Sequence, residues 1–572
     1  MERRLLIVFA LTFLVIIAFQ PLLKKYFPQT APPAESKPNP VESSAPPTAS
    51  TSSAAQPAHP QPGALHAGVK QASSEADTVV ENDLYKITFS NRGAQVKSWV
   101  LKKFDDDKGR PLDLVNAAAA EKYGYPLSLF TYDESLRNKL NGALYISSAP
   151  ASVSAPGEIA FDYSDPEVSV HKAFRFDQSY AIHVEASVQE KTGQITAFPL
   201  WPAGFGDQGT LASYAAGKVE YQYNDNIERL ALKKVIGGNT LPGPFHWLGV
   251  TDQYFGAVFI PDDPAVAAAV TLHNSIETPK DVQRPNPQDM AKVDVLGAAV
   301  GRLQGTSAER LYVGPKALQV VESVPVPGIM GAEPDLRSLV NFGFFHIIAR
   351  PLFVWLKWTY EHVVSNWGWA IAVQTLIINL TLLPLRISSM KSALKMQKIQ
   401  PHMNAIKDKY KKYTMRDPRK QEMNQEIAAL MKREGVSPAG GCLPLVIQMP
   451  FLFAYYSMLG AALDLRHAHW LWIRDLSSAD PWHLLPLGII VTMLFTQRMT
   501  PQAGMDPQQQ KMMNLVMPVM LGVISWNLAA GLCLYWSEGN LIAIVQQAIM
   551  NKTKLGREMR EMALKRARKK DK

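Results

Sequence analysis

The chain has 572 residues, with 59 Lys or Arg against 50 Asp or Glu and a net charge of +9. Its 47% of hydrophobic residues are unevenly placed: the chain is mostly polar up to about residue 335 and rich in long apolar runs beyond, which excludes a purely soluble protein. The only cysteines, Cys442 and Cys533, lie in apolar segments. That excludes a disulfide framework for the polar part, whose roughly 250 residues can bury an adequate core without one.

Met1-Glu2-Arg3-Arg4 precedes an apolar run from Leu5 to Phe19 that is interrupted only by Thr12, with Lys24-Lys25 soon after. No small-x-small cleavage site follows, and Leu5 to Leu23 would span about 28 Å as a helix. Residues 1–27 are therefore expected to be an uncleaved anchor with a cytoplasmic amino terminus. Residues 28–77, dominated by Pro, Ala, Ser, Thr and Gln, read as a flexible linker.

From Thr78 the pattern becomes period two. Tyr85, Ile87 and Phe89 alternate with polar residues, as do Ile182, Val184, Ala186 and Val188. Tyr254–Ile260 and Leu311–Val313 are further predicted strands, and Gly, Asp, Asn and Pro clusters separate the runs. Residues 78–335 are expected to form a mainly antiparallel sandwich that the first span delivers outside the cytoplasm. Residues 336–365 follow, with His346, Arg350, Lys357 and Glu361 on one face of a helix. With Trp355, Trp358 and Tyr360 nearby, this suits a helix in the membrane interface; docking of the same helix on the sandwich is the alternative.

Five further spans are predicted at about 368–386, 441–462, 483–499, 513–529 and 531–550, within a core of residues 366–550. A cytoplasmic amino terminus then leaves 387–440, 500–512 and the tail 551–572 inside. Basic residues far outnumber acidic ones between Arg386 and Arg433 and in the tail, as the positive-inside rule requires. The segment 387–437 reads as a helical hairpin, about 388–412 and 418–434, turning at Asp417-Pro418. The tail residues Lys565, Arg566, Arg568, Lys569 and Lys570 suit ribosomal RNA or anionic lipid, or orientation alone.

Nothing supports catalysis. No Walker A loop, His-Glu-x-x-His or Gly-x-Ser-x-Gly occurs, no cofactor is implied, and His467 and His469 read as two solvated side chains rather than a metal site. The spans are instead unusually polar. They carry Gln374, Thr375 and Asn379, then Gln448, Tyr455 and Tyr456, then Thr492 and Thr496, then Asn514 and Ser525, then Tyr535, Ser537, Glu538, Asn540 and Gln546. Interhelical bonding accounts for any one span; polar groups in all of them suggest a shared hydrated cavity.

Several motifs resemble the YidC family of membrane protein insertases. They are Asn366-Trp367-Gly368, Pro384-Leu385, Gly440-Gly441-Cys442, Trp472-Ile473-Arg474-Asp475-Leu476-Ser477 with Asp480-Pro481, Asp506-Pro507-Gln508-Gln509-Gln510-Lys511, Gly531-Leu532-Cys533-Leu534-Tyr535-Trp536, and Asn540-Leu541 with Gln546-Gln547. The polar part resembles it more loosely, through Asn91-Arg92-Gly93-Ala94 and Leu311-Tyr312-Val313-Gly314-Pro315-Lys316.

The resemblance implies a Gram-negative-type inner-membrane insertase and chaperone with six transmembrane helices, a periplasmic β-supersandwich and a cytoplasmic helical hairpin. Its five-helix core would form a groove open to cytoplasm and lipid. Substrate contact then falls to Thr375, Asn379, Tyr535 and Trp536, with Gln374, Gln448 and Glu538 added from the polar inventory. Nascent membrane proteins, the Sec translocon, the ribosome and membrane lipids are the implied partners; a small-solute transporter or channel is the alternative function. One departure stands out. The resemblance calls for an arginine five residues before Pro384, where this chain has Asn379, and for an uncharged residue at Glu538.

Overall fold

The computed structural model describes residues 68–558 and 561, apart from 150, 224–225, 281–285, 287, 329–334, 414–416, 437–442, 500–511 and 555. The predicted anchor and most of the linker, the Gly440-Gly441-Cys442 signature, the 506–511 motif and the five basic tail residues lie outside the described residues.

The alternation read from the sequence becomes sheet. Tyr85, Ile87 and Phe89 are fully buried along Tyr85–Ser90 while Lys86 is exposed, as period-two geometry dictates. Among the described residues three sheets form, one of ten strands and two of five. The centre of the largest runs in the order Phe245–Thr251, Phe255–Pro261, Ser307–Pro315, Ala181–Glu190, Val168–Phe176, Gly157–Ser164. Pairing among the described strands is antiparallel except where Asp77–Glu81 meets Ser152–Ser154. The fully buried Trp99, Trp201 and Trp247 anchor the core between sheets. The strand expected from Tyr254 starts at Phe255 instead. Asp252 explains the shift: its Oδ1 accepts from both Tyr254 N and Phe255 N at 2.7 Å, holding Tyr254 in a turn. Contacts with the sandwich begin ahead of Thr78, because Lys70 N donates to Ser164 O at 2.9 Å and Ala72 N to Leu144 O at 3.0 Å.

Both sandwich motifs shape sites for buried lysines. Gly93 takes a φ of +67° and its neighbour Ala94 one of +46°, and a Cβ at Gly93 would collide with the Asn141 carbonyl. That turn aims the Gly93 and Ala94 carbonyls, with that of Leu127, at Lys172 Nζ, at 2.8, 2.9 and 2.6 Å. Burial pushes the ammonium down to about 7, while three acceptors meet its three donors. At the end of the second motif Lys316 donates to Asp252 O at 2.9 Å and lies 3.8 Å from Glu220; burial lowers its pKa too.

The described residues that follow are mainly helical: α1 His346–His362, α2 Trp367–Thr381, α3 Leu383–Lys409, α4 Arg419–Arg433, α5 Leu443–Ala461, α6 Leu484–Met499, α7 Met512–Ser525 and α8 Ala530–Lys552. Helix α1 combines features of both sequence readings. Leu352, Phe353 and Leu356 are buried against the core helices. Arg350 pairs with Glu322 at 3.2 Å and Lys357 with Gln319 at 2.8 Å, both partners lying just after the Ser307–Pro315 strand. Ile347, Val354 and Trp358 stay exposed.

The five later spans were each expected to be one helix. Among the described residues no single helix is long and apolar enough to cross a membrane; α2 and α3, bent by 45°, meet that length and composition only as a pair. The bend follows from Pro384, which sits in the first turn of α3 and cannot supply the N–H that would continue α2. Helix α7 opens as a π-helical turn over Met512–Val516, and Pro518 stands at its transition to α-helix. The hairpin's first helix is thus continuous with the residues after the bend, beginning at Leu383 rather than about 388. Its two arms enclose a small core of Ile399, Met403, Ile427, Leu430 and Val436, and Glu426 accepts from Lys409 and Tyr410 at 2.9 Å.

Candidate functional site: a polar seam between helices

The motif residues around the helix ends hold the helices in place. Asn366 caps α2 by accepting from Trp369 N at 3.2 Å and donates to His469 O at 3.0 Å. A Cβ at Gly368 would occupy the Trp470 ring, so the glycine permits close packing of loop on helix. Buried Asp480 accepts from Trp472 Nε1 and Trp482 N at 3.1 Å and from Leu485 N at 2.7 Å, closing the loop onto the start of α6. Ala530 N and Gly531 N bond to Ser478 O and Leu476 O, which fixes where α8 begins.

The loop also meets the sandwich. Arg466 donates to Asp105 O at 3.1 Å and approaches Asp107 at 3.7 Å, and His467 Nε2 lies 3.2 Å from Asp107. The His467 hydrogen bond, with the Arg466 charge behind it, holds the Asp107 carboxyl below its usual range.

Inside, α2, α5 and α8 share a polar seam. Gln374 donates to Leu352 O of α1 at 2.9 Å and accepts from Tyr455 OH at 2.9 Å. The Tyr455 ring stacks on Tyr535, centroids 4.0 Å apart. Thr375 and Asn379, one turn apart, bond back along α2, Thr375 Oγ1 to Ile371 O at 2.7 Å and Asn379 Nδ2 to Thr375 O at 2.8 Å. On α8 the residues Tyr535, Glu538, Ile542 and Gln546 recur at helical spacing and form one stripe.

The structure brings Gln374, Thr375, Asn379 and Tyr535 together and closes them in, Gln374 and Thr375 having no exposure at all. Trp536 packs half-buried on the neighbouring face, and the Gln448 side chain lies outside the described residues. The hydroxyls of Thr381, Thr492, Thr496 and Ser525 bond to their own helices four residues back, which is local satisfaction.

Sequence reasoning missed Arg386, which counts there only as the start of a basic segment. The bend returns it to the seam: its guanidinium donates to Asn379 Oδ1 at 3.0 Å and to Gln546 Oε1 at 2.8 Å, and Gln546 Nε2 donates to Asn379 O at 3.3 Å. Pro384 was the signal, because a proline-induced bend can bring the following turn back against the preceding helix. Glu538, by contrast, has a buried Oε2 with no hydrogen-bond partner among the described residues.

The family described as YidC periplasmic domain matches residues 77–355, and that described as 60Kd inner membrane protein matches residues 358–557. The membrane protein insertase YidC of Geotalea uraniireducens is 31% identical, covering 97% of this chain and 99% of its own, and that of Geobacter metallireducens is also 31% identical with the same coverages. A crystal structure of an active YidC insertase with its first transmembrane domain resolved is 19% identical over 85% of this chain and 94% of its own, with a TM-score of 0.34. On the identity to these relatives across nearly the whole length, the chain belongs to the YidC family of membrane protein insertases.

Proposed function

We infer that this chain inserts membrane proteins into the inner membrane, with its β domain in the periplasm, in keeping with the names of its relatives and matching families, and that it assists their folding. The observation that carries the mechanism is the polar seam of α2, α5 and α8, set behind an outer surface on which Leu376, Ile377, Leu380, Leu541, Val545 and Ile549 are exposed. A nascent apolar segment with a polar flank faces roughly 30 Å of hydrocarbon, and dehydrating the flank is its main cost. A seam that parts to admit water and the flank shortens the dry path. The apolar segment then leaves between α2 and α8 into lipid, driven by burial of its own surface. No nucleotide is needed for that step.

Gln374, Thr375, Asn379, Gln448, Tyr535, Trp536 and Glu538 form the substrate-contacting wall in this reading, with Arg386 and Gln546 as its cytoplasmic clasp. Six spans cross the membrane from a cytoplasmic amino terminus. The hairpin α3–α4 guides substrates in, the basic tail meets ribosome or anionic lipid, and the periplasmic domain contacts the Sec translocon. Reconstitution of the full chain in liposomes tests the function. A single-span substrate should insert without nucleotide while small polar solutes stay outside; solute flux without insertion would instead mark a transporter.

A further inference from the structure

Among its described residues the seam holds one guanidinium and one carboxyl, and they are not partners. Arg386 is engaged by the amides of Asn379 and Gln546, which take up its donors although Asn379 itself lies beside the Glu538 turn of α8. Glu538 lies on the same stripe, one turn from Tyr535, and its Oε2 is buried and unpartnered. Its neighbour Gly539 packs beside Asn379, whose Nδ2 is 3.9 Å from where a Cβ would stand, so this turn of α8 lies against α2.

A carboxylate in a span is costly unless it is hydrated or paired. A structural ion pair would have used Arg386, the cation the bend brings into this wall. Hydrogen bonds to charged groups are also among the stronger ones available. The unpartnered oxygen thus points to a transient partner that arrives with the substrate.

We propose that Glu538 recognises a basic residue, Lys or Arg, in the polar flank of the segment being inserted, so that this insertase favours cationic flanks over neutral or acidic ones. The inference rests on the insertase reading and names its substrate class. Moving a cation outward runs against an inside-negative potential, and a carboxylate midway along the path lowers that barrier for Lys and Arg alone. An acidic flank gains nothing from Glu538 and is repelled by it.

The test uses the full chain in liposomes and one single-span substrate whose flank carries Lys, Gln or Asp at a fixed position. The readout is the ratio of Lys-flank to Gln-flank insertion. The wild type should favour Lys, Glu538→Gln should lower the ratio about tenfold, the equivalent of one charge-assisted contact, and Glu538→Asp should restore most of it. An unchanged ratio in Glu538→Gln would overturn the proposal. A second measurement does not depend on the variant folding: zero-length carbodiimide coupling on the wild type should join the flank lysine of a stalled substrate to Glu538, and coupling elsewhere only would overturn it. If the wild type inserts none of the three substrates, the insertase reading itself fails, and this inference with it.

Discussion

The Arg386 guanidinium stands 3.0 Å from Asn379 Oδ1 although a proline and a 45° bend separate the two residues. The chain thereby delivers an arginine to the position where its sequence has only an amide. Both acceptors of Arg386 are on buried residues, so losing the donor leaves them unsatisfied at about 1–3 kcal/mol each. Arg386→Met and Asn379→Leu should each slow insertion several-fold. Because they break one network, the double variant should be little worse than either, a coupling of about 0.5–3 kcal/mol. A double-mutant cycle on insertion rates checks this; strict additivity would mean that the two act separately.

Lys172 should be a stability residue without a part in insertion. Lys172→Met leaves the Gly93, Ala94 and Leu127 carbonyls without their shared donor, at about 1–3 kcal/mol for each acceptor left unsatisfied. Pulse proteolysis of the full chain should show residues 78–335 cut at markedly lower denaturant, while insertion by the folded fraction is unchanged.

Much of this was legible in the sequence, for definite reasons. Tyr85, Ile87 and Phe89 fixed a face because a strand alternates strictly, and polar residues on α2 and α8 could be placed on one side by helical spacing. Arg386 was not legible because its position depends on how far the chain turns at Pro384, which periodicity along a single helix cannot express. The start of Phe255–Pro261 was missed because an Asx turn at Asp252 competes with strand extension. The pairing of Tyr455 with Gln374 joins residues far apart in sequence and needed the packing itself.

Docking of the periplasmic domain on the 462–468 loop should weaken in acid. Asp107 is held below its usual range by His467 and Arg466, so its contribution is fully present above the unfolded carboxylate pKa of about 4. That contribution disappears as pH falls through the lower, folded value. The protection of the 462–468 amides relative to their intrinsic exchange rate at each pH should therefore fall below about pH 4, and Asp107→Asn should bring the lower protection to neutral pH. An unchanged exchange profile in Asp107→Asn would remove this contact from the account.

The hairpin should fold on its own small core yet be indispensable. Leu430→Ala opens a cavity beside Ile399, Met403 and Ile427 and should cost about 2–5 kcal/mol of hairpin stability, seen as earlier proteolysis of α3 and α4. Deleting residues 388–434 should abolish insertion into liposomes. Normal rates after that deletion would rule out the guiding role.

The central claim is that the seam between α2, α5 and α8 receives the substrate. Photocrosslinking from position 535 tests it most directly, because an aromatic photoprobe there keeps the stack on Tyr455 and leaves the Arg386–Asn379 bond untouched. With a stalled nascent membrane protein, the account predicts efficient crosslinks to the nascent chain that weaken in Arg386→Met. Crosslinks only to lipid or to neighbouring helices, with none to substrate, would contradict it.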